Sequence, residues 1–197
     1  MGVRSARPPA GPWRPRFRGG PHPQLLLGRE PVDLGGIGKG LALRWASEQL
    51  QTQVDDFLID AGGDITCRGP GPEGDGWKVA VEDPRGGSGP LAVVTLRDTA
   101  CATSSIRLRR WRCAGRSVHH LVDPRSGRPG GAGLSAVTVI APDPVEAEVL
   151  SKSLFLEGRR RIADEAARVA AAAFWVRSDG TVGETPHFGE RVIWRAA

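Results

Sequence analysis

The chain has 197 residues, 40% of them hydrophobic, and a formal net charge of +5, which allows one hydrophobic core and at most a small appendage. No apolar run approaches the roughly 18 residues of a membrane span, and Leu25-Leu26-Leu27 is too short for the core of a signal peptide. We therefore expect a cytoplasmic protein without a membrane span; an N-terminus further upstream would allow membrane association or export.

The positive charge is concentrated at the N-terminus. Residues 1–30 hold six arginines against Glu30, which gives +5, so residues 31–197 sum to zero. Six prolines and five glycines in the same stretch indicate a disordered basic arm, followed by one domain over 31–197. We do not expect a nucleic-acid partner, because no basic surface interleaved with aromatic residues follows the arm.

A glycine-rich turn is the first motif along the chain. Residues 33–40 read DLGGIGKG and precede a helical pattern at about 40–53. Such a turn brings backbone N–H groups and a helix N-terminus close to an anion, and Lys39 adds a full positive charge. Neither the Rossmann nor the Walker spacing is present, so a tight turn with a solvated lysine remains the alternative.

Two further motifs lie on predicted strands. A short strand at 57–60 runs into Gly62-Gly63-Asp64, where Asp64 is either a ligand or an ordinary turn aspartate. Antiparallel strands are predicted at 77–84 and 91–96. In the strand-rich segment from residue 100, Thr103 and Ser104 can hydrogen-bond a phosphate or simply begin a strand.

Adjacent histidines follow a hairpin turn at 113–116. His119 and His120 point to opposite faces of a strand, so only one can face a given site and the two do not share a metal. A histidine with a near-neutral pKa is the best proton acceptor in this chain, and a hydrogen-bonded structural histidine is the alternative.

The C-terminal part predicts a strand at 136–141, helices at 144–157 and 159–173, and short final strands; Asp143 is the predicted N-cap of the first helix, with Pro144 at its first position. Glu148 and Lys152 are spaced i, i+4 and share a helix face, which is typical of a surface salt bridge. The order of elements predicts an α+β fold with a mainly antiparallel sheet and packed helices.

Six blocks in this order resemble the ApbE-type FAD:protein FMN transferases. They are residues 33–40, 60–65, 77–84, 102–104, 119–127 and 147–158. The resemblance implies an ApbE-like, T-fold-related domain and an enzyme that transfers FMN from FAD to a threonine hydroxyl of a target protein, through a phosphoester bond. The family has a sheet-containing segment before the first block, so the chain resembles a member that lacks part of the N-terminal half.

The resemblance also assigns residues, with FAD and an acceptor protein as the partners. The implied FAD-binding residues are Asp33, Lys39, Gly62, Gly63, Asp64, Thr103, Ser104 and His120. His120 and Lys39 are the implied catalytic residues: the first activates or orients the attacking hydroxyl, and the second neutralises charge on the pyrophosphate. A Mg²⁺ ion is implied as well, with the Gly36 carbonyl and the side chains at positions 148 and 152 as its ligands.

The chain departs from the family pattern at the metal. The family block reads Ala-Asp-x-Leu-Ala-Thr, and this chain has Glu148 and Lys152 at the two ligand positions. A charged lysine cannot ligate Mg²⁺, although its charge can stand in for the metal. The sequence thus leaves two main hypotheses: a metal-assisted flavin transferase, and a catalytically impaired FAD-binding protein that has lost its metal site. A third, less favoured one is a protein whose arginine-rich arm binds nucleic acid.

Overall fold

The computed structural model describes residues 16–27, 32–87 and 89–196. The helices in these ranges are α1 (Gly38–Leu50), α2 (Pro144–Arg168) and α3 (Pro186–Gly189). The strands are β1 (Arg16–Arg18), β2 (Gln24–Leu26), β3 (Phe57–Asp60), β4 (Ile65–Arg68), β5 (Trp77–Glu82), β6 (Pro90–Leu96), β7 (Thr99–Ser105), β8 (Arg110–Cys113), β9 (Arg116–His119), β10 (Val122–Asp123), β11 (Arg128–Pro129), β12 (Leu134–Ala141), β13 (Ala172–Arg177), β14 (Val182–Glu184) and β15 (Val192–Arg195).

Two antiparallel sheets form the body of the domain. The larger has six strands in the order β14-β13-β12-β7-β4-β3, and the smaller has the order β15-β6-β5. In the larger sheet Val137 of β12 lies opposite Ser104 of β7 and Trp175 of β13. The predicted α+β fold with a mainly antiparallel sheet is therefore confirmed.

The six-stranded sheet is covered on both faces. One face packs against the three-stranded sheet in a core that includes Leu96 and Phe174. The other face packs against α2 through Val139, Phe155 and Ile162. A strand buried on both faces does not need polar residues at alternate positions, which explains the nearly continuous apolar run of β12.

Small residues allow the two long helices and β7 to pack closely together. Ala100, Ala102, Ala141 and Ala147 form a cluster of small buried side chains between the sheet and α2. A Cβ on Gly40 of α1 would lie 2.7 Å from the Pro144 carbonyl oxygen, so α1 meets the start of α2 backbone to backbone. Only glycine permits this approach.

The start of α2 matches its prediction, but its end does not. The Asp143 side chain accepts hydrogen bonds from the backbone N–H groups of Val145 (2.9 Å) and Glu146 (3.2 Å), which makes it the predicted N-cap. Two helices were expected at 144–157 and 159–173; they join across non-helical Gly158 (φ 71°) and end at Arg168. Ala173 instead pairs with Val139 in the sheet, because strand pairing outweighs the helix preference of alanine.

The predicted N-terminal arm is described only in part. β1 pairs with β2, with Arg16 opposite Leu26, and every residue of both strands is exposed. This hairpin packs none of its side chains into the core, so the predicted disorder of the arm stays a prediction. Disorder in residues 1–15 and the boundary at residue 30 fall outside the described residues and stay predictions.

Two other sequence-based expectations can be compared with the fold. The strand β4 was not predicted; it pairs with β3, with Asp60 opposite Ile65, just after the Gly62-Gly63 turn.

In the part of the chain that the structure describes, no helix has the length and apolarity needed to cross a membrane. The cytoplasmic location stays a prediction.

Candidate active site

A cavity of about 660 Å³ opens between α1, the β3 end of the large sheet, β5 and α2. Of the residues singled out from the sequence, those lining it are Lys39, Gly62, Gly63, Thr103, Ser104, His120 and Lys152. Asp64 and Glu148 are buried, and they form ion pairs with Lys39 and Lys152, respectively. Asp33 and Gly36 belong to the turn before α1, whose Gly35 also lines the cavity.

The glycine-rich turn is closed by its own hydrogen bonds. The Asp33 side chain accepts a bond from Gly35 N (2.7 Å), and the Leu34 carbonyl accepts bonds from Ile37 N (3.0 Å) and Gly38 N (2.6 Å). The exposed Asp33 carboxylate therefore shapes the turn. This places the first residues of α1, including Lys39, at the cavity.

Lys39 is paired with a buried carboxylate. Its Nζ lies 2.6 Å from Asp64 Oδ2; the lysine side chain is 47% exposed and the aspartate side chain 4%. Asp64 Oδ1 accepts a bond from Thr103 N (3.3 Å), which ties this carboxylate to β7. Asp64 is thus the counter-ion that positions Lys39. The sequence had suggested a ligand or an ordinary turn aspartate, and neither interpretation included this ion pair.

The turn before Asp64 explains why two glycines precede it. Gly62 and Gly63 have φ values of 69° and 91°, in the region that favours glycine. Gly63 N donates to Asp60 Oδ1 at 2.7 Å, and a Cβ on either glycine would meet nothing within 4 Å. The turn therefore presents open backbone to the cavity.

Glu148 and Lys152 form the predicted i, i+4 pair, but Glu148 is in the interior. Its side chain is fully buried, and its Oε2 accepts a hydrogen bond of 2.6 Å from the backbone N–H of Gly40. Its Oε1 accepts a bond of 2.9 Å from Lys152 Nζ. The interpretation as a surface salt bridge is wrong, because the crossing of α1 covers the carboxylate.

The hydroxyl residues of β7 point in two directions. Thr103 is exposed and its Oγ1 lies 2.9 Å from Thr138 Oγ1. Ser104 is buried and its Oγ lies 2.9 Å from Ser151 Oγ, which in turn donates to the Glu148 carbonyl at 3.0 Å. Thr103 is accessible to a ligand, whereas the Ser104 hydroxyl ties β7 to α2.

The two histidines face opposite ways. His120 lines the cavity, with Nδ1 3.4 Å from the Arg109 carbonyl oxygen. His119 packs edge-on against Phe155, with ring centroids 6.0 Å apart. Burial lowers the pKa of His120, and the positive charges of Arg109, Lys152 and Lys39 lower it further. His120 is therefore neutral at pH 7 and free to accept a proton at Nε2 when Nδ1–H faces the carbonyl.

Most of the charged side chains that line the cavity are basic. Its basic lining residues are Lys39, Lys78, Arg107, Arg109 and Lys152, and its acidic ones are Asp60 and Glu82. Arg107 is paired with Glu82 (3.0 Å), and Arg109 has no ion pair with any described residue. Such a lining favours an anionic ligand. Arg107 and Arg109 were not among the predicted site residues; their alternation with Ile106 and Leu108 is the one signal of them in the sequence.

The residues present do not fit the Mg²⁺ ion that the resemblance implied. Within the described ranges, no group of three or more His, Cys, Asp or Glu side chains is placed to hold a metal. The predicted positions do meet, since a Cβ on Gly36 would lie 3.9 Å from Lys152 Cδ. The Lys152 ammonium already donates a hydrogen bond to Glu148 Oε1, the oxygen that a metal at this place would need. At an effective dielectric of about 20, a divalent cation about 4 Å from it would be repelled by roughly 8 kcal/mol.

Solved structures share this fold. The ApbE protein from Thermotoga maritima aligns with a TM-score of 0.73 and 32% identity, over 81% of this chain and 53% of that chain. The apo form of the flavinyl transferase ApbE from Pseudomonas stutzeri aligns with a TM-score of 0.71 and 28% identity, over 84% and 52% of the two chains. The fold is therefore that of the ApbE proteins, and the chain spans about half the length of these two structures.

The sequence comparisons lead to the same class. A sequence model of the ApbE family matches residues 22–175, and the chain belongs to the ApbE family. The FAD:protein FMN transferase of Salmonella typhimurium is 28% identical over 151 residues, which cover 76% of this chain and 43% of that protein. The Treponema pallidum protein of the same name is 31% identical, over 71% of this chain and 42% of its own length. The match thus spans less than half of each of these relatives.

Proposed function

We propose that the chain binds FAD in this cavity and transfers its FMN part to a threonine hydroxyl of an acceptor protein, forming a phosphoester bond. The observation that carries the proposal is the convergence of Lys39, Lys152 and a neutral His120 on one cavity whose charged lining is mostly basic. Membership of a family whose relatives are named FAD:protein FMN transferases supports flavin as the transferred group.

The transfer balances with the groups at hand. The threonine Oγ attacks the phosphorus on the FMN side of FAD, and a new P–O bond forms. The bond from that phosphorus to the bridging oxygen breaks, and AMP leaves with the oxygen. The hydroxyl proton passes to His120 Nε2, which is available because burial and neighbouring cations keep the pKa of His120 below its ordinary value.

Lys39 supplies the electrostatic part of the step. Its side chain lines the cavity and is about half exposed, and its ion pair is with Asp64. An ammonium has three donors, so two remain for phosphate oxygens. They would stabilise the negative charge that develops on the leaving AMP. Metal assistance has no part in this step, because the side chains at positions 148 and 152 do not fit Mg²⁺.

A second candidate is an FAD-binding protein without transferase activity. The observation that favours it is the same Glu148–Lys152 pair, since a site that evolved to use a metal and then lost it would retain the binding cavity. The two candidates agree on FAD binding and differ on whether FMN becomes covalently attached.

One experiment separates them. The purified chain is incubated with FAD and a peptide that carries a single threonine, and the peptide is analysed by mass spectrometry and by flavin fluorescence in a denaturing gel. We expect FMN on the threonine peptide, none on a peptide with Thr→Val at that position, and a matching release of AMP. His120→Ala should retain FAD binding and lose labelling. FAD binding with unlabelled peptide and no AMP would favour the second candidate.

A further inference from the structure

The Lys152 side chain lines the cavity and brings a positive charge to it. It lies one helical turn after Glu148 on α2, and its side chain is 22% exposed. Its aliphatic part passes beside the turn before α1, as the 3.9 Å distance from its Cδ to a Cβ on Gly36 shows. Glu148 Oε1 takes one of the three ammonium donors, so two remain for a ligand.

The position of this ammonium is fixed by two helices. Glu148 Oε1 holds Lys152, and Glu148 Oε2 is held in turn by the backbone N–H of Gly40 on α1. Because the carboxylate is buried and bonded at both oxygens, it cannot turn away from the lysine without losing a partner. The ammonium is thus part of the packed structure, unlike a solvated surface lysine.

No hydroxyl of the same helical turn competes for this place. Ser151 points into the interior, to Ser104 and the Glu148 carbonyl. Ser153 donates to the carbonyl of Leu150 on the exposed side of α2 (3.2 Å). The group that α2 presents to the cavity at this point is therefore the Lys152 ammonium.

We propose that Lys152 is a built-in cation that takes the place of a divalent metal, so that this cavity binds the pyrophosphate of FAD without Mg²⁺. The identity of the ligand rests on the proposed function. Lys39 from α1 and Lys152 from α2 bring two ammonium groups to one cavity, and each is held by a buried carboxylate of its own, Asp64 and Glu148. Lys39 belongs to the implied site with or without a metal, so Lys152 is the ammonium that stands where the metal is implied, with donors free for phosphate oxygens.

The test is the metal dependence of FAD binding, followed by quenching of flavin fluorescence. The unaltered chain is titrated with FAD in excess EDTA and again in millimolar Mg²⁺. We expect dissociation constants that agree within about twofold, because the ammonium does not depend on added metal. Binding that is lost in EDTA and restored by Mg²⁺ would overturn the inference, and this arm needs no variant to fold.

Two variants test Lys152 itself. Lys152→Met removes the charge and offers no oxygen, so FAD affinity should fall by about tenfold or more in both conditions. Lys152→Thr offers a hydroxyl and frees Glu148 Oε1, so its affinity should fall in EDTA and recover with Mg²⁺. Arg161→Thr is the matched control, because it removes one exposed positive charge from the same helix away from the cavity; it should bind FAD like the unaltered chain. Unchanged affinity in Lys152→Met would contradict the proposal.

The titration also distinguishes this inference from the proposed function. Metal-dependent FAD binding with FMN transfer overturns the inference and leaves the function intact. Metal-independent binding without transfer overturns the function and supports the inference. No binding of FAD in either condition overturns both.

Discussion

Glu148 Oε2 accepts a 2.6 Å hydrogen bond from the backbone N–H of Gly40, a residue 108 positions earlier in the chain. The N-terminus of α1, which the glycine-rich turn had suggested as an anion site, therefore receives an anion from the protein itself. Glu148 completes the first turn of α1 and at the same time holds Lys152. The carboxylate therefore neutralises the positive end of α1, and the positive group that faces the cavity here is the Lys152 ammonium.

The Glu148–Lys152 pair should show strong coupling in a double-mutant cycle. Glu148→Gln leaves the partly buried Lys152 without its counter-ion, so the free energy of unfolding should fall by about 3 kcal/mol or more. Adding Lys152→Met should recover part of this loss, because it removes the unpaired charge. Urea denaturation of the two single variants and the double variant measures the coupling.

The same cycle on an exposed pair provides the control. Glu165 and Arg168 lie on the same helix, 2.6 Å apart, with side chains that are 29% and 68% exposed. Their coupling should stay within about 1 kcal/mol. Additive effects at Glu148 and Lys152, as small as those of the exposed pair, would show that the buried pair does not act as a unit.

Gly40→Ala should destabilise the protein although alanine is the better helix former. The added Cβ would lie 2.7 Å from both the Pro144 carbonyl oxygen and Val145 Cα, and 3.0 Å from Glu148 Oε2. Backbone atoms cannot move aside as a side chain can, so we expect a loss of about 1 to 3 kcal/mol in unfolding free energy. Thermal unfolding followed by circular dichroism measures it.

Gly38→Ala is the matched control on the same helix. Its Cβ would meet only the Leu34 Cβ, at an ordinary 3.6 Å. This substitution should be neutral or stabilise the protein by up to about 1 kcal/mol, because alanine is favoured over glycine within a helix. A loss as large as that of Gly40→Ala would contradict the packing explanation.

Much of the fold could be predicted because local patterns determine it. The alternation in β5 and its turn to β6 predicted the hairpin, in which Val79 lies opposite Val94. Asp143 followed by Pro144 predicted the start of α2. The end of that helix could not be predicted, since Ala172 and Ala173 belong to β13 only through pairing with a strand distant in the sequence.

Many of the residues of the candidate site could be predicted from the sequence, but the contacts between them could not. An i, i+4 spacing shows that Glu148 and Lys152 share a helix face, but it does not show that α1 covers that face. The pairing of Lys39 with Asp64 likewise depends on how a turn and a helix meet in the folded chain. Both contacts join residues that lie far apart in the sequence, and neither leaves a local pattern.

Lys39 should contribute to binding and to stability in separable ways. Lys39→Met removes an ammonium from the cavity and leaves the buried Asp64 carboxylate with only the Thr103 N–H. We expect FAD affinity to fall by about tenfold, and the unfolding free energy to fall by about 1 to 3 kcal/mol. The double variant Lys39→Met/Asp64→Asn should regain stability, because the unpaired charge is gone, but not affinity.

Fluorescence titration with FAD and urea denaturation measure the two effects on the same samples. Asp64→Asn alone serves as the reference, since asparagine can still accept the hydrogen bond from Thr103 N. If the double variant regained affinity as well as stability, Lys39 would act only by neutralising Asp64 and would not contact the ligand.

The two histidines should titrate below the ordinary value of 6.5, for different reasons. Burial lowers the pKa of both; the charges of Arg109, Lys152 and Lys39 further lower that of His120, whereas His119 responds mainly to burial and to His120. Proton NMR of the ring C2–H signals, assigned with His120→Gln and His119→Gln, measures both values. In Lys152→Met the pKa of His120 should rise and that of His119 should change little, so His119 is the internal control.

The same shifts set the sign of the pH dependence of stability. The folded chain holds these imidazoles in the neutral form, so the unfolded chain binds protons more readily between the folded pKa and 6.5. Their contribution is complete above 6.5, and the free energy of unfolding falls as the pH drops through that window. Urea denaturation at several pH values should show a shallower fall for His120→Gln than for the unaltered chain. A pKa of His120 at or above 6.5, or one that ignores Lys152→Met, would contradict the placement of Lys152 beside it.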